Sequence, residues 1–316
     1  MTIWTSPPSS SADRVTEGLA WRPAPPGAAG AAPASGGPGP PAPGGAAAPG
    51  RATGAVGWPP VLVAEDLLAR GVVAAFSSRA GGFSTAPYDS LNLGLRVGDD
   101  LRTVLRNRRR LATVLSVAGL PWATLRQVHG ATVVRARREL LGQGPPEARL
   151  PLAEADGLVT GEPGLVLAVF TADCVPVLLA DPAAGVVAAV HAGWRGLAAG
   201  VLEAGVAAFA AAGADLGASV AVVGPAIGPC CYEVGPEVAE AVGERYPAAA
   251  ATTLQGTPAI DTTAAAGQAL ERAGLGAVRA ARECTAHQPE RFFSHRRDGV
   301  TGRQAGVIAL LERGPA

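Results

Sequence analysis

The chain contains no lysine, few cysteines and histidines (four of each) and a single methionine, and it carries no net charge. All 26 basic residues are therefore arginines, matched by 26 acidic residues. Because there is no basic excess or long basic block, neither nucleic acid nor a membrane surface is predicted as a partner. No apolar run reaches the roughly 18 residues of a membrane-spanning helix. Four cysteines in 316 residues, two of them adjacent, do not resemble a disulfide framework and indicate a reducing, cytoplasmic setting.

The first 57 residues lack the apolar side chains needed for a core. They are dominated by proline, glycine, alanine and serine, so they have little to bury against the entropy cost of ordering. We predict a disordered extension over residues 1–57 and a single folded domain over residues 58–316, which is long enough for one sizeable core. Trp4 and Trp21 interrupt the extension, either as incidental aromatics or as docking contacts.

Apolar runs rich in valine, leucine and alanine alternate with helical patterns in the remaining residues. Strands are predicted over residues 61–63, 72–76, 165–170, 185–190, 220–223, 278–281 and 307–311. Helices are predicted from Asp99 or Asp100 to about Val117, and over residues 197–212, 236–246 and 262–273. Several long irregular loops separate these elements. The pattern favours an α+β fold built on mixed sheets.

Two of the apolar runs end in residues that can bind metal or act as nucleophiles. Residues 165–170 lead to Cys174, and residues 185–190 lead directly to His191. With His129 they offer one soft thiolate and two imidazoles, a ligand set that suits zinc and leaves a fourth position for water. A nucleophile–base pair of Cys174 and His191 is the alternative chemistry, and purely structural roles are a third interpretation.

Other candidates flank these residues. Asp173 is interpreted as a general base, as a group orienting a ligand histidine, or as a turn cap. Arg195 and Arg79 each lie close to glycines and could hold an anion, or could be surface arginines. The segment 291–298 combines aromatic and basic side chains and could line a nucleotide pocket or form an edge strand. The adjacent Cys230 and Cys231 are interpreted as packing residues, because neighbouring side chains point apart in a strand.

Seven short motifs occur in order along the chain, namely Ser78–Gly82, Tyr88–Gly94, Gln127–Gly130, Ala172–Pro176, His191–Gly196, Ile227–Glu233 and Phe293–Arg297. Together they resemble the laccase-domain family, also called multicopper polyphenol oxidase-like or peptidoglycan editing factor proteins. Members of that family are described as purine nucleoside phosphorylases. The resemblance extends from about Trp58 to Leu311 and leaves the N-terminal extension outside.

The resemblance implies a four-layer α/β/β/α sandwich and a metal site of two histidines and one cysteine. The implied ligands are His129, Cys174 and His191, with zinc as the expected metal and copper as the alternative. On this basis the predicted catalytic residues are Cys174, Asp173, Arg79 and Arg195. The predicted substrate-binding residues are Asn92, Arg296 and Arg297.

The resemblance further implies phosphorolysis of adenosine, inosine and S-methyl-5'-thioadenosine, with adenosine deamination as a second activity. Purine nucleosides and phosphate are therefore the expected partners. One alternative is a hydrolase that edits a peptidoglycan precursor through Cys174. Another is a non-catalytic metal-binding partner of cell-wall proteins, recruited through the extension. Polyphenol oxidation is disfavoured, because one site of this kind lacks the several copper centres that the oxidase name suggests.

Overall fold

The computed structural model describes residues 18–22 and 58–312. Its strands are β1 (Leu19–Arg22), β2 (Val61–Ala64), β3 (Val72–Ser77), β4 (Trp122–Ala123), β5 (Val133–Arg135), β6 (Gly157–Thr160), β7 (Val166–Thr171), β8 (Val175–Asp181), β9 (Val186–Ala192), β10 (Val220–Val223), β11 (Ala250–Thr252), β12 (Pro258–Ile260), β13 (Ala277–Ala280) and β14 (Gln304–Leu310). Its helices are α1 (Glu65–Ala69), α2 (Leu101–Val114), α3 (Trp194–Ala199), α4 (Val201–Ala211), α5 (Pro236–Gly243), α6 (Thr262–Arg272) and α7 (His295–Asp298). Within the described ranges, no helix has the length and apolar character required to cross a bilayer.

Twelve of the strands form two six-stranded sheets. The first sheet has the order β1-β2-β3-β14-β7-β4, in which only the β4–β7 pair is parallel. The second has the order β13-β10-β8-β9-β6-β5, with parallel pairs at both edges and antiparallel pairs between them. Both sheets are therefore mixed, as predicted.

Three buried clusters show how the layers are stacked. The central cluster joins the two sheets, with Leu167 and Ile308 from the first packed with Leu178 and Ala189 from the second. The outer face of the second sheet packs against α3, α4, α5 and α6, and Phe209 of α4 is completely buried there. The outer face of the first sheet packs against α2. In the central strands, alternate residues therefore face the opposite sheet and a helix layer, and the α/β/β/α sandwich is confirmed.

Local sequence signals explain where several helices begin and end. The Asp100 carboxylate accepts a hydrogen bond from the Thr103 N–H, so the predicted cap of α2 is confirmed. Asp261 caps α6 in the same way. The helix predicted over residues 197–212 is divided into α3 and α4 at Gly200, whose φ of +83° is readily available only to glycine.

Strand β1 comes from the segment for which we predicted disorder. It pairs with β2, and the Trp21 indole N–H donates to Glu283 Oε1 at 2.6 Å. The Trp21 ring lies 6.0 Å from that of Phe292, so this tryptophan makes contacts within the chain. Trp4 and the rest of the extension lie outside the described residues, and the domain boundary at residue 58 stays a prediction.

The strand β8 was also missed, and its presence changes how the two central apolar runs are related. The runs form β7 and β9, which belong to different sheets. β8 pairs directly with β9, and Pro176 at its second position lies opposite His191. Cys174 therefore lies where the chain passes from the first sheet to the second, beside the end of β9.

Candidate metal centre and its cavity

His129, Cys174 and His191 lie together at this edge of the sandwich. Their ligand atoms are all within 4.8 Å of one another, and the two imidazole rings are in edge-to-face contact with centroids 4.9 Å apart. His191 is buried, Cys174 is half-buried and His129 is exposed. The group is thus anchored on the core side and open on the other, which matches catalytic zinc sites with three protein ligands.

Backbone geometry at this edge is unusual. Among the described non-glycine residues, positive φ angles occur at Ser116, His129 (60°) and Asp173 (104°), so two of the three positions lie at the site. Asp173 directly precedes Cys174, and its conformation turns the chain sharply between β7 and β8. Strained backbone of this kind is found where surrounding contacts fix a functional group.

Asp156 is the group that organises the site, and the sequence analysis missed it. Its fully buried carboxylate accepts from His191 Nδ1 at 2.8 Å and from the backbone N–H groups of His129 (3.0 Å) and Gly130 (2.7 Å). One carboxylate therefore orients the ring of one candidate ligand and the loop that carries another. A carboxylate on the far nitrogen of a ligand histidine is the usual support of a metal site. It also leaves His191 Nε2 as the nitrogen available to a ligand.

Gly193 provides the space in which the three side chains meet. A Cβ atom at this position would lie 2.7 Å from His129 Cδ2 and 3.1 Å from Cys174 Sγ. Both distances are shorter than ordinary contacts, so only glycine leaves room for the imidazole and the thiol. The donor set and this close packing fit a bound metal ion.

The charges of the group are strongly coupled. Burial opposes ionisation of the Cys174 thiol, but the charge of His191 and hydrogen bonds from both histidines outweigh it and lower its pKa to about 6. Burial alone would lower the pKa of His191, yet the Cys174 charge and the bond to Asp156 raise it to about 9. The two shifts favour a thiolate beside an imidazolium in the metal-free pair, and metal must displace the imidazolium proton.

A cavity of about 660 Å³ opens over this group. The size falls within the range of small-molecule sites. Apart from the three candidate ligands and Asp173, its lining includes three aromatic and several arginine side chains, which are Phe170, Trp194, Tyr232, Arg96, Arg108, Arg126, Arg149, Arg195, Arg296 and Arg303. A cavity with aromatic walls and many guanidinium groups can accept a flat ring together with an anion.

The predicted catalytic residues differ in whether they line the cavity. Asp173 lies in the cavity, where its carboxylate accepts from Thr285 Oγ1 and from the Arg296 N–H, both at 2.7 Å. Arg195 also lines the cavity, and its guanidinium lies 4.4 Å from the Trp194 ring centre. Arg79 is not brought to the cavity. Its guanidinium donates to the carbonyl oxygens of Asp89 and Pro289, so it holds loops together.

Of the three predicted substrate-binding residues, the structure places one at the cavity and two away from it. Arg296 lines the cavity and donates to the Glu233 carbonyl at 2.7 Å. Arg297 does not line it, because its guanidinium donates to three backbone carbonyls and to Asp298. Asn92 is fully buried outside it. Its side-chain oxygen accepts from the Arg303 N–H at 2.9 Å, so Asn92 positions a cavity residue rather than lining the cavity itself.

Arg303 and Tyr232 are cavity residues that the sequence analysis did not single out individually. Burial lowers the pKa of Arg303, and its guanidinium donates to the carbonyls of Thr301 and Gly302. Burial, reinforced by the nearby Cys174 charge, raises the pKa of Tyr232 to about 12. Tyr232 lies within one of the ordered motifs, which was the available signal, whereas Arg303 lies six residues after the last motif and gave no signal of its own. Their position at the cavity depends on contacts distant in sequence.

Comparison with known proteins identifies the family. Residues 73–311 match the family described as multi-copper polyphenol oxidoreductase laccase. The chain belongs to this family. It is 46% identical over 235 residues to purine nucleoside phosphorylase SCO2081 of Streptomyces coelicolor, covering 74% of this chain and 94% of that protein. It is 42% identical over 254 residues to purine nucleoside phosphorylase YfiH of Shigella flexneri, covering 79% and 99%.

Solved structures in the same laccase-like group share the fold. YlmD from Geobacillus stearothermophilus superimposes with a TM-score of 0.74 at 36% identity, covering 80% of this chain and 96% of that one. Neisseria meningitidis protein NMB0706 gives a TM-score of 0.67 at 39% identity, covering 77% and 95%. The chain thus spans nearly the full length of these relatives. The relatives' names support a nucleoside-processing enzyme, and the clustered ligands support a metal.

Proposed function

We propose that the protein is a zinc-dependent purine nucleoside phosphorylase for adenosine, inosine and S-methyl-5'-thioadenosine, with adenosine deaminase activity. The observation that carries this proposal is that one cavity combines the three candidate metal ligands with aromatic and arginine side chains. The names of the relatives support the phosphorylase activity. The four cysteines are free, which supports the proposed cytoplasmic setting.

His129, Cys174 and His191 would hold the metal. When bound, zinc supplies a Lewis acid beside the substrate and lowers the pKa of water in its open position. Copper is the alternative, since two histidines and a cysteine also suit that metal. Oxidation of polyphenols at several copper centres is not supported, because the whole chain has only four histidines.

Phosphorolysis requires a place for phosphate beside the nucleoside sugar. The glycosidic bond between C1' and N9 breaks, a phosphate oxygen bonds to C1', and the purine leaves with the electron pair and takes up a proton. We assign phosphate binding to Arg195, because its guanidinium lies in the cavity and has no ion pair among the described residues. Guanidinium groups bind phosphate oxygens bidentately and stabilise the charge redistributed in the transition state.

The purine ring is assigned to the aromatic part of the cavity, with Phe170 and Tyr232 as walls. Asp173 is assigned to proton transfer at the purine. Hydrogen bonds from Thr285 and from the Arg296 backbone fix the carboxylate, and such fixed orientation favours general acid–base catalysis. In deamination, Asp173 takes a proton from the attacking water as its oxygen bonds to C6. The C6–amino bond then breaks, and Asp173 gives that proton to the amino group, which leaves as ammonia.

A cysteine hydrolase is the second candidate, and the low pKa of Cys174 favours it. A thiolate next to an imidazolium is the resting state of cysteine nucleophiles. Editing of a cell-wall precursor would use this pair without metal. The names of the two relatives described above do not point to such a substrate. Chelation separates the candidates, because a nucleophile retains activity without metal and a metal ligand does not.

The proposal is tested by mass-resolved product analysis. Zinc-loaded protein is incubated with adenosine, with and without phosphate, beside Cys174→Ser and Arg195→Ala. We expect adenine and ribose 1-phosphate only when phosphate is present. Inosine should form in either case and should be cleaved in part to hypoxanthine when phosphate is present. Cys174→Ser should abolish both activities. Arg195→Ala should raise the KM for phosphate while leaving inosine formation largely intact. Absence of turnover by the zinc-loaded protein would contradict the proposal.

A further inference from the structure

The three cysteines outside the cavity form a second sulfur cluster. The Sγ atoms of Cys230, Cys231 and Cys284 all lie within 4.8 Å of one another, and those of Cys230 and Cys231 are 3.5 Å apart. All three are half-buried free thiols. Every cysteine of the chain therefore belongs to one of two groups capable of binding metal.

The local fold explains why adjacent cysteines face the same way. Cys230 and Cys231 do not lie in a strand, as we assumed in treating them as packing residues, but in a turn closed by the Cys231 N–H bond to Gly228 O. Cys284 follows β13, and its sulfur accepts from the Gly228 N–H at 3.2 Å. The turn and the segment after β13 are further joined by the Thr285 N–H bond to Ala226 O.

A fourth donor lies beside the cluster. Nδ1 of His287 is 4.0 Å from Cys231 Sγ, and the imidazole is exposed and can move toward the sulfurs. His287 follows Cys284 by three residues, a spacing common in zinc sites. In a tetrahedral site with Zn–S bonds of about 2.3 Å, sulfurs lie roughly 3.8 Å apart. The Cys230–Cys231 separation of 3.5 Å is close to that value, and both distances to Cys284 Sγ are at most 4.8 Å.

Ionisation of the Cys230 and Cys231 thiols is disfavoured in the absence of a compensating cation. Burial raises the pKa of Cys230 to about 12, and the two neighbouring thiols contribute to the shift. Burial likewise raises the pKa of Cys231. A divalent ion would supply the missing positive charge and displace the thiol protons. The cluster is thus suited to binding metal and unsuited to nucleophilic catalysis.

We propose that Cys230, Cys231, Cys284 and His287 bind one zinc ion in a closed structural site. The two segments that carry these ligands also hold Asp173, because Ile227 N–H donates to Asp173 O and Thr285 Oγ1 donates to its carboxylate. The ion would stabilise the position of these two segments, which form one wall of the cavity, and would take no part in catalysis. The proposal does not depend on the proposed function.

Zinc counting in the full-length protein tests this site. Wild type, Cys284→Ser, Cys174→Ser and the double variant are saturated with zinc, dialysed against excess metal-free buffer and measured by mass spectrometry of the metal. We expect two, one, one and no ions per chain. His287→Ala should lower the affinity at this site but retain the ion at saturating zinc. Two ions remaining in Cys284→Ser, or one ion in wild type, would overturn the proposal.

A second measurement on wild-type protein avoids dependence on variant folding. Cobalt(II) replaces zinc in such sites, and its thiolate charge-transfer absorption reports how many sulfurs are bound. We expect two cobalt ions per chain, one with strong absorption from three thiolates and one with weaker absorption from Cys174. A single saturable cobalt ion would contradict the second site. A disulfide among Cys230, Cys231 and Cys284 in the isolated protein, with no metal there, would contradict it equally.

Discussion

Replacing Gly193 by alanine should disrupt the metal centre while leaving the fold intact. The new Cβ would lie 2.7 Å from His129 Cδ2, and ordinary van der Waals contact begins at 3.4 Å. The imidazole must therefore withdraw by about 0.7 Å, or the strand end must shift by a similar amount. Metal–ligand distances tolerate deviations of only about 0.2 Å. His129 can no longer complete the site in its present position.

The expected loss in zinc affinity is on the order of 10- to 100-fold, the range found when the support of a ligand is disturbed. That loss corresponds to about 1.4 to 2.8 kcal/mol of binding free energy. The effect on folding is smaller. Gly193 has an extended conformation available to alanine, and its carbonyl still accepts from Leu197, so a weakened helix cap costs about 1 kcal/mol or less.

Competition titration with a chromophoric chelator measures the affinity, and urea unfolding of the metal-free proteins measures stability. Gly130→Ala, in the loop that carries His129, is the matched control, since its Cβ would meet its nearest neighbour, Asp156 Oδ2, at an ordinary 3.6 Å. The control should bind zinc like wild type. Equal zinc affinity in Gly193→Ala and Gly130→Ala would refute the reasoning that the three side chains converge on one ion.

Three further substitutions test other parts of the account. Asp156→Asn removes the charged acceptor of His191 Nδ1 and should lower zinc affinity about 10- to 100-fold by calorimetry; an unchanged affinity would contradict its supporting role. Burial opposes ionisation of Asp181, but hydrogen bonds from three backbone N–H groups outweigh it and lower its pKa. Asp181→Asn should therefore reduce the free energy of unfolding at pH 7. The deficit should begin to shrink once the pH falls below about 4, the ordinary pKa of the carboxylate in the unfolded chain, and should vanish below its lower pKa in the folded protein; a deficit that grows on acidification would contradict this reasoning. Phe209→Ala empties a fully buried position between α4 and the second sheet and should cost about 3 to 5 kcal/mol in thermal or urea unfolding. A cost below about 1 kcal/mol would show that the layer is loosely packed.

The elements predicted most accurately are those encoded locally. Uninterrupted apolar runs such as Val220–Val223 became strands, and Asp100 capped its helix where the pattern placed it. β8 was missed because it begins beside Cys174 and contains Pro176, and proline inside an apolar run usually argues against a strand. β1 was missed because it lies in a segment whose composition indicates disorder.

The candidate site shows more clearly which features local sequence does not predict. Arg79 and Arg195 have similar neighbours in sequence, yet one holds loops together and the other lines the cavity. Asp156 gave no motif signal of its own, because its importance comes from contacts with residues 26 to 35 positions away. Local sequence identifies residue types capable of chemistry. Tertiary contacts decide which of them share a cavity.

The central claim is that a metal held by His129, Cys174 and His191 is required for purine nucleoside phosphorolysis. The most direct measurement compares phosphate-dependent release of adenine from adenosine by metal-free protein and by the same sample after stepwise addition of zinc. We predict no release without metal and recovery that saturates as the site fills. Full activity of the metal-free protein would contradict the claim and favour Cys174 as a nucleophile.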